Sequence, residues 1–402
     1  MMAALAAARA GTGVILLEKN PQPGKKLLLS GKGRCNLTNA CDIEDFIARF
    51  YGNGQFLRDA FGKLFYPELK AFFESRGLKL KTERQQRVFP VSDRSASVLD
   101  VLVGELARSK VDLRCNAEAE GIVVRDRGVK GVKIKAQPFL AADAVVLATG
   151  GVSYAFTGST GDGIRWAEQH GHRIIPLRPG LVALETKKEG AGLPEGLVLK
   201  NIRLTFTRGR TEIVSETGEL LFTDFGVSGP LVLTLSGRVA DLLGGKEKVT
   251  CRIDLKPALS FEQVDARLVR EFKTNPRRNI RNVFKALLPG SLVPVFLRQA
   301  GLADKKANQV THEERARLCL LLKRFSLEIV RTRPMREAMI TRGGVSLKDI
   351  DPRTMESRLV RGLYFCGEMI DVAADTGGFN LQAAFSTGYL AGLSAAAGKT
   401  QG

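Results

Sequence analysis

Histidine is scarce in this chain, cysteine is sparse, and acidic residues are outnumbered by basic ones. Each shortage closes off a class of function. The three histidines, His170, His172 and His312, do not gather near any motif, so a histidine-based triad or metal site is not expected. The six cysteines, Cys35, Cys41, Cys115, Cys251, Cys319 and Cys366, are widely spaced and form no CxxC. That argues against structural zinc or a thioredoxin-like site, so the expectation is no metal, and reduced thiols in a cytoplasmic protein. No apolar run approaches the roughly 20 residues of a membrane span, so no membrane partner is expected. Residues 1–10 have no basic stretch ahead of an apolar core, so no secretory signal is expected. The shortage of acid leaves 61 Lys and Arg against 42 Asp and Glu, a formal charge of +19. Such an excess favours anionic partners, nucleic acid above all, and bears on association rather than fold.

What is present is a chain of 402 residues, 44% hydrophobic, with 42 glycines. That length can bury a large core and predicts two or three domains of α/β character. The most informative stretch runs from Gly362 to Gly392. A short apolar strand, Leu363 to Cys366, is followed by Gly367-Glu368, a polar loop, the pair Gly377-Gly378, and a helical stretch from Phe379. A glycine pair before a helix lets a ligand approach the backbone closely. The helix start adds free N–H groups and a partial positive charge, which suits a ligand edge that becomes negative, such as the pyrimidine edge of a reduced flavin.

Two more buried strands fit a nucleotide-binding unit. Val14 to Asn20, VILLEKN, ends in Glu18, placed as the acid that accepts hydrogen bonds from a ribose. The glycine loop of such a unit lies about 20 residues before that acid, which puts it ahead of residue 1. Gly11-Thr12-Gly13 cannot replace it, because it precedes a strand instead of following one. The first strand and the phosphate loop are therefore expected to be missing, through a misassigned start codon or truncation. A chain extended upstream is expected to purify yellow, and the chain as written largely without cofactor. Ala144 to Gly151, AVVLATGG, is the other strand, and TGSTGDG leads into a helix with Asp162 near its start. Pro21 to Cys41 is a basic, glycine-rich loop able to lie along a dinucleotide. Cys35 and Cys41 also raise a redox disulfide, but five residues separate them where dithiol reductases have four. Residues 84–94, RQQRVFPVSDR, read as a basic loop. Residues 181–255 alternate as short antiparallel strands, and 339–347 is expected to rejoin them. Glu262 to Arg324 is helical, with fourteen Lys and Arg against six Asp and Glu.

Four longer pieces, EKNPQPGKKLLLSGKGRCNLTNA, ELLFTDFGVSGPLVLTLS, AMITRGGVSLKDIDPRTMESRLVRGLYFCGE and DTGGFNLQAAFSTG, make the chain similar to the BaiN/RdsA-like family of NAD(P)/FAD-dependent oxidoreductases, also labelled aminoacetone-oxidase-like. The resemblance runs nearly end to end. It implies an α/β, Rossmann-like FAD domain of the two-dinucleotide-binding-motif type, here without its first strand and glycine loop. That domain would comprise 1–178 and 352–402, with an antiparallel β-barrel-like domain at 179–258 and 326–351 and a helical insert at 259–325. Carried over by position, Glu18 would bind the adenosine ribose, Lys19 beside it would also contact the cofactor, and Ala119 would lie against adenine. Thr149 and Gly150 would flank the dinucleotide, and Gly367 and Glu368 the pyrophosphate and ribityl chain. Gly377, Gly378, Phe379 and Asn380 would face the isoalloxazine, and Arg34, Cys35 and Asn36 would border the ring and substrate space. Cys35 and Asp375 are the candidate proton donors. The activity implied is reduction of an activated C=C bond with NAD(P)H, in a ribosomal RNA uridine or in a steroid-like enone. Amine oxidation and a non-catalytic RNA-binding flavoprotein are the alternatives. Arg277, Arg278 and Arg281, expected to share a helix face, are the candidate RNA contacts in the basic insert.

Overall fold

The structure, a computed structural model, describes residues 1–187, 192–245 and 247–398. It divides into two units, residues 1–180 with 335–402, and residues 181–334.

The first unit opens with α1 (Met2–Arg9), β1 (Ile15–Leu17), α2 (Lys25–Leu29), β2 (Thr38–Asn39), α3 (Ile43–Ala48), α4 (Arg58–Lys63) and α5 (Tyr66–Glu74). It continues through β3 (Leu80–Thr82), β4 (Arg87–Pro90), α6 (Ser95–Arg108), β5 (Asp112–Arg114), β6 (Ala119–Arg125), β7 (Gly128–Ile134), β8 (Leu140–Ala141), β9 (Val145–Leu147), α7 (Asp162–Gln169) and β10 (Ile174–Gly180). The second unit holds β11 (Leu184–Thr186), β12 (Val198–Arg208), β13 (Thr211–Val214), β14 (Gly218–Phe222), β15 (Gly226–Ser228), α8 (Pro230–Leu243) and β16 (Val249–Asp254). It ends with α9 (Phe261–Thr274), α10 (Ile280–Phe284), α11 (Val293–Gln299), α12 (His312–Lys323) and β17 (Phe325–Thr332). The chain then returns to the first unit with β18 (Ile340–Val345), β19 (Leu363–Phe365) and α13 (Phe379–Ala397).

Two parallel strand pairs, β1 with β5 and β9 with β19, give the first unit its Rossmann character. The residues of β9 and β19, Val145–Leu147 and Leu363–Phe365, are apolar throughout and all but Val146 are buried, as strands covered on both faces require. Helix α13 is buried nearly all round and packs on α1 through small residues. Gly392 sets that approach: a Cβ there would lie 2.1 Å from the Ala3 carbonyl oxygen. A phenylalanine cluster on α3 to α5, Phe46, Phe61 and Phe65, fills the neighbouring core.

In the second unit the pairings run β12–β14–β15–β11–β17–β16 and return to β12, all antiparallel. Strand β16 shows why the inside fills: Val249, Cys251 and Ile253 are buried and alternate with partly exposed residues. The helices between β16 and β17 share one core with this ring, Phe272, Phe284 and Phe296 lying in the same cluster as Phe206 and Phe222.

Two expectations need correction. Residues 339–347 do not rejoin these strands; β18 pairs antiparallel with β10 in the first unit, so the chain crosses back near residue 335 and not at 352. An alternating apolar strand reads the same whichever sheet receives it, so its pattern could not choose. Arg277 and Arg278 do not share a helix face with Arg281. They lie in the turn between α9 and α10, because Pro276 cannot continue a helix; all three are exposed.

Candidate functional site

Strands β9 and β19 run side by side, Val145 opposite Leu363 and Leu147 opposite Phe365, so their carboxyl ends emerge together. Thr149-Gly150 and Gly367-Glu368 follow at those ends. In open α/β sheets ligands bind outside the carboxyl ends of the strands. Gly150 and Gly367 have φ of 74° and 72°, which lets both segments turn away from the strands. The Thr149 hydroxyl is buried and has no hydrogen-bond partner in the protein.

Glu368 ties this edge to three other segments. Its Oε1 accepts from the Thr341 N–H at 2.7 Å and the Ser153 hydroxyl at 2.9 Å. Its Oε2 accepts from Lys26 Nζ at 2.5 Å, and Lys26 also donates to Ser153 Oγ at 2.8 Å. The Thr341 hydroxyl in turn accepts from the Val152 and Ser153 N–H groups at 2.8 and 3.0 Å. Glu368 was expected at the site. Lys26, Ser153 and Thr341 were not, although Lys26 sits in the basic GKK run of the glycine-rich loop.

The turn after β1 forms a second part. Glu18 Oε1 accepts from the backbone and side-chain nitrogens of Asn20 at 2.8 and 2.7 Å. The Ala117 N–H donates to the Glu18 carbonyl at 3.0 Å, which brings the start of β6, and with it Ala119, beside the turn. Lys19 donates to Asp162 Oδ2 at 2.8 Å and Thr160 Oγ1 at 2.6 Å. Burial pushes the Asp162 carboxyl up, but hydrogen bonds from Lys19 and Thr160 outweigh it and hold the carboxyl below its ordinary range.

The GKGRCN loop forms the third. Gly31, Lys32, Gly33 and Cys35 all have left-handed backbone, with φ of 56°, 57°, 81° and 58°. Cys35 is wholly buried, and that burial pushes its thiol up to about 11, against a hydrogen bond with Ser30. Cys35 and Cys41 are free thiols in different core clusters. The Asn36 side-chain oxygen is buried without a partner. Arg34 lies over the Phe89 ring at 4.3 Å and pairs with Asp93, Nε to Oδ1 at 2.8 Å, and with Glu83.

Past this loop the chain meets the glycine pair. Asn39 Nδ2 donates to the Gly377 carbonyl at 3.1 Å, and a Cβ on Gly378 would lie 2.4 Å from the Thr38 carbonyl oxygen. Gly378, at φ 98°, then starts α13. Two residues expected to face a ring serve the scaffold. The Phe379 ring turns into the core, edge-on to Phe46 at 4.7 Å, because a large apolar side chain on the first turn gains more from the phenylalanine cluster. Asn380 fastens the preceding loop: its Oδ1 accepts from the Ala374 N–H at 2.9 Å and its Nδ2 donates to the Ala374 and Asp375 carbonyls at 2.9 and 3.2 Å. Asp375 is buried in that loop, its N–H donating to the Arg49 carbonyl at 3.2 Å.

The model of the HI0933-like protein Rossmann domain matches residues 1–394. The chain belongs to that family. A 3-dehydro-bile acid delta(4,6)-reductase of Clostridium scindens is 33% identical over 399 residues, 98% of this chain and 96% of that protein. A ribosomal RNA dihydrouridine synthase of Escherichia coli is 28% identical over 398 residues, 97% of this chain and 93% of that protein. Among solved structures, 3-ketosteroid-delta4-(5alpha)-dehydrogenase from Rhodococcus jostii superposes with a TM-score of 0.50 at 15% identity, covering 98% of this chain and 94% of that one. The last likeness is one of fold. The chain is an FAD-dependent oxidoreductase of Rossmann type. Its own residues fit that cofactor: the unpartnered oxygens of Thr149 and Asn36 are polar groups that a dinucleotide or flavin edge can satisfy.

Proposed function

We propose that this oxidoreductase uses NAD(P)H to reduce the C5=C6 bond of a uridine in ribosomal RNA. The overall change is uridine plus NAD(P)H plus a proton to dihydrouridine plus NAD(P)⁺. Bound FAD supplies the hydride chemistry that no side chain can. In this reading Glu18 and Lys19 hold the ribose end, and Thr149, Gly150 and Gly367 hold the dinucleotide. Glu368 is held in place by Lys26. The backbone of Gly377 and Gly378 and the start of α13 lie along the ring edge, where a helix N-terminus favours negative charge. Asn36 offers its oxygen to a ring or substrate N–H. Cys35, protonated up to about pH 11, is a neutral thiol able to hold a proton but not a ready nucleophile. The ring of strands and its helices, residues 181–334, form the inserted barrel with a helical cap that carries Arg277, Arg278 and Arg281.

The observation that carries the RNA reading is the charge: +19 over 402 residues suits a polyanion. A second reading, reduction of a steroid-like enone, is favoured by the 33% identity to the bile acid reductase. The experiment supplies excess FAD and NAD(P)H with unmodified ribosomal RNA in one reaction and a 3-oxo-4-ene steroid in another. Dihydrouridine with little steroid reduction supports the first reading. Steroid turnover with untouched RNA replaces it with the second.

A further inference from the structure

The sequence marks residues 84–94 as basic, and of these the site described so far uses only Phe89 and Asp93, which hold Arg34. In the structure they are the β3–β4 hairpin and its flank. Thr82 pairs with Val88 and Leu80 with Pro90, and the turn closes through the Glu83 N–H donating to the Arg87 carbonyl at 2.8 Å. Gln85 and Gln86 at the tip are exposed and left-handed, with φ of 59° and 56°.

The hairpin is locked to the site. β4 pairs with β2, Thr38 opposite Val88 and Asn39 opposite Arg87. The Ala40 N–H donates to the Gln86 carbonyl at 2.8 Å. Asn39 Nδ2 donates both to the Gln85 carbonyl, at 3.0 Å, and to the Gly377 carbonyl, at 3.1 Å. One side chain therefore separates the hairpin tip from the glycine pair.

Its charges divide into two sets. The two acids, Glu83 and Asp93, are taken by Arg34 and Lys81. No carboxylate pairs with Lys32, Arg84, Arg87 or Arg94 among the described residues, and Lys32, Arg84 and Arg94 are exposed. Arg87 is pre-set: its Nε donates to the Arg84 carbonyl at 3.1 Å and its guanidinium lies by Phe89 at 5.8 Å from the ring centre. With Nε engaged, its two terminal nitrogens are left to form a fork that matches phosphate oxygens.

We propose that this hairpin is an RNA-docking edge, with Arg84 and Arg87, supported by Lys32 and Arg94, contacting backbone phosphates of the substrate RNA beside the glycine pair. The inference rests on the RNA reading above and deepens it: a base can enter the site only if its own strand is held next to it, and the hairpin is the cationic element tied to that place. Phosphate contacts set register and carry no sequence information, so base choice stays with the site.

The test compares the parent chain, the Arg84→Gln/Arg87→Gln variant and the Arg277→Gln/Arg278→Gln/Arg281→Gln variant, titrated with a ribosomal RNA transcript at several salt concentrations. The thermal midpoint is the folding control. If the hairpin variant misfolds, Lys32→Gln/Arg94→Gln takes its place with the same readout. The expected result is a log–log salt slope lessened by about 1.4 for two lost contacts, with affinity down roughly ten-fold at low salt. Unchanged affinity and slope in the hairpin variant, with loss in the insert variant, overturns the hairpin and leaves the RNA reading standing. A parent chain with no salt-sensitive RNA binding overturns both.

Discussion

Thr149 and Asn36 each bury a side-chain oxygen that the protein leaves unsatisfied. An unsatisfied buried polar group costs about 1–3 kcal/mol, so the ligand-free chain carries a penalty that, in the proposed reading, a bound cofactor would relieve. Thr149→Val is therefore expected to raise the thermal midpoint of the ligand-free protein slightly and to weaken FAD binding roughly two- to ten-fold. A variant that is less stable without FAD and equally tight with it would contradict this. The cysteines give a pH dependence. Burial pushes the Cys35 and Cys366 thiols from the ordinary 9.0 up to about 11. The fold thus favours the protonated thiol; its contribution is complete below pH 9.0 and is lost as pH rises toward about 11. Thermal midpoints should fall across that window, and Cys35→Ala should flatten part of the fall. An equally steep fall in Cys35→Ala would show that Cys35 does not contribute. Cys35→Ser is also expected to keep measurable flavin reduction by NAD(P)H, because Cys35 and Cys41 are separate free thiols; complete loss with FAD still bound would revive a dithiol relay. Single residues were only partly legible beforehand. Glu18, Thr149 and Glu368 stand at strand ends and could be found by counting. Thr341 meets Glu368 because β18 returns beside β19's exit, and Lys26 and Ser153 reach it from α2 and from the loop after β9, which no local pattern records.

At the scale of elements, apolar strands and the long C-terminal helix were plain in the sequence, since period and glycine punctuation are local. What was hidden is which face each element turns to its neighbour. Phe379 follows a glycine pair and could point either way; the Phe46 cluster decides it. The α1–α13 crossing shows the same dependence. Gly392 has ordinary helical surroundings in sequence, yet a Cβ there would press to 2.1 Å from the Ala3 carbonyl oxygen. Gly392→Ala is expected to destabilise the protein by about 1–3 kcal/mol, because neither helix backbone can yield cheaply. Chemical denaturation measures this, and an unchanged midpoint would mean that the two helices slide apart at little cost.

At the scale of the whole molecule, composition announced an α/β protein with a large basic excess, and the long motifs announced the family. The division into parts was less legible: the helices expected as a separate insert share a core with the strands of residues 181–334. In the proposed function the carboxyl ends of β9 and β19, the Asn36 loop and the glycine pair together receive FAD. The most direct measurement is an absorbance titration with FAD of the parent, Thr149→Val and Asn36→Leu. A saturable shift of the flavin spectrum in the parent, weaker in both variants while their ligand-free thermal midpoints do not fall, is the predicted result. A folded parent with no saturable shift, or variants that bind as tightly as the parent, would contradict it.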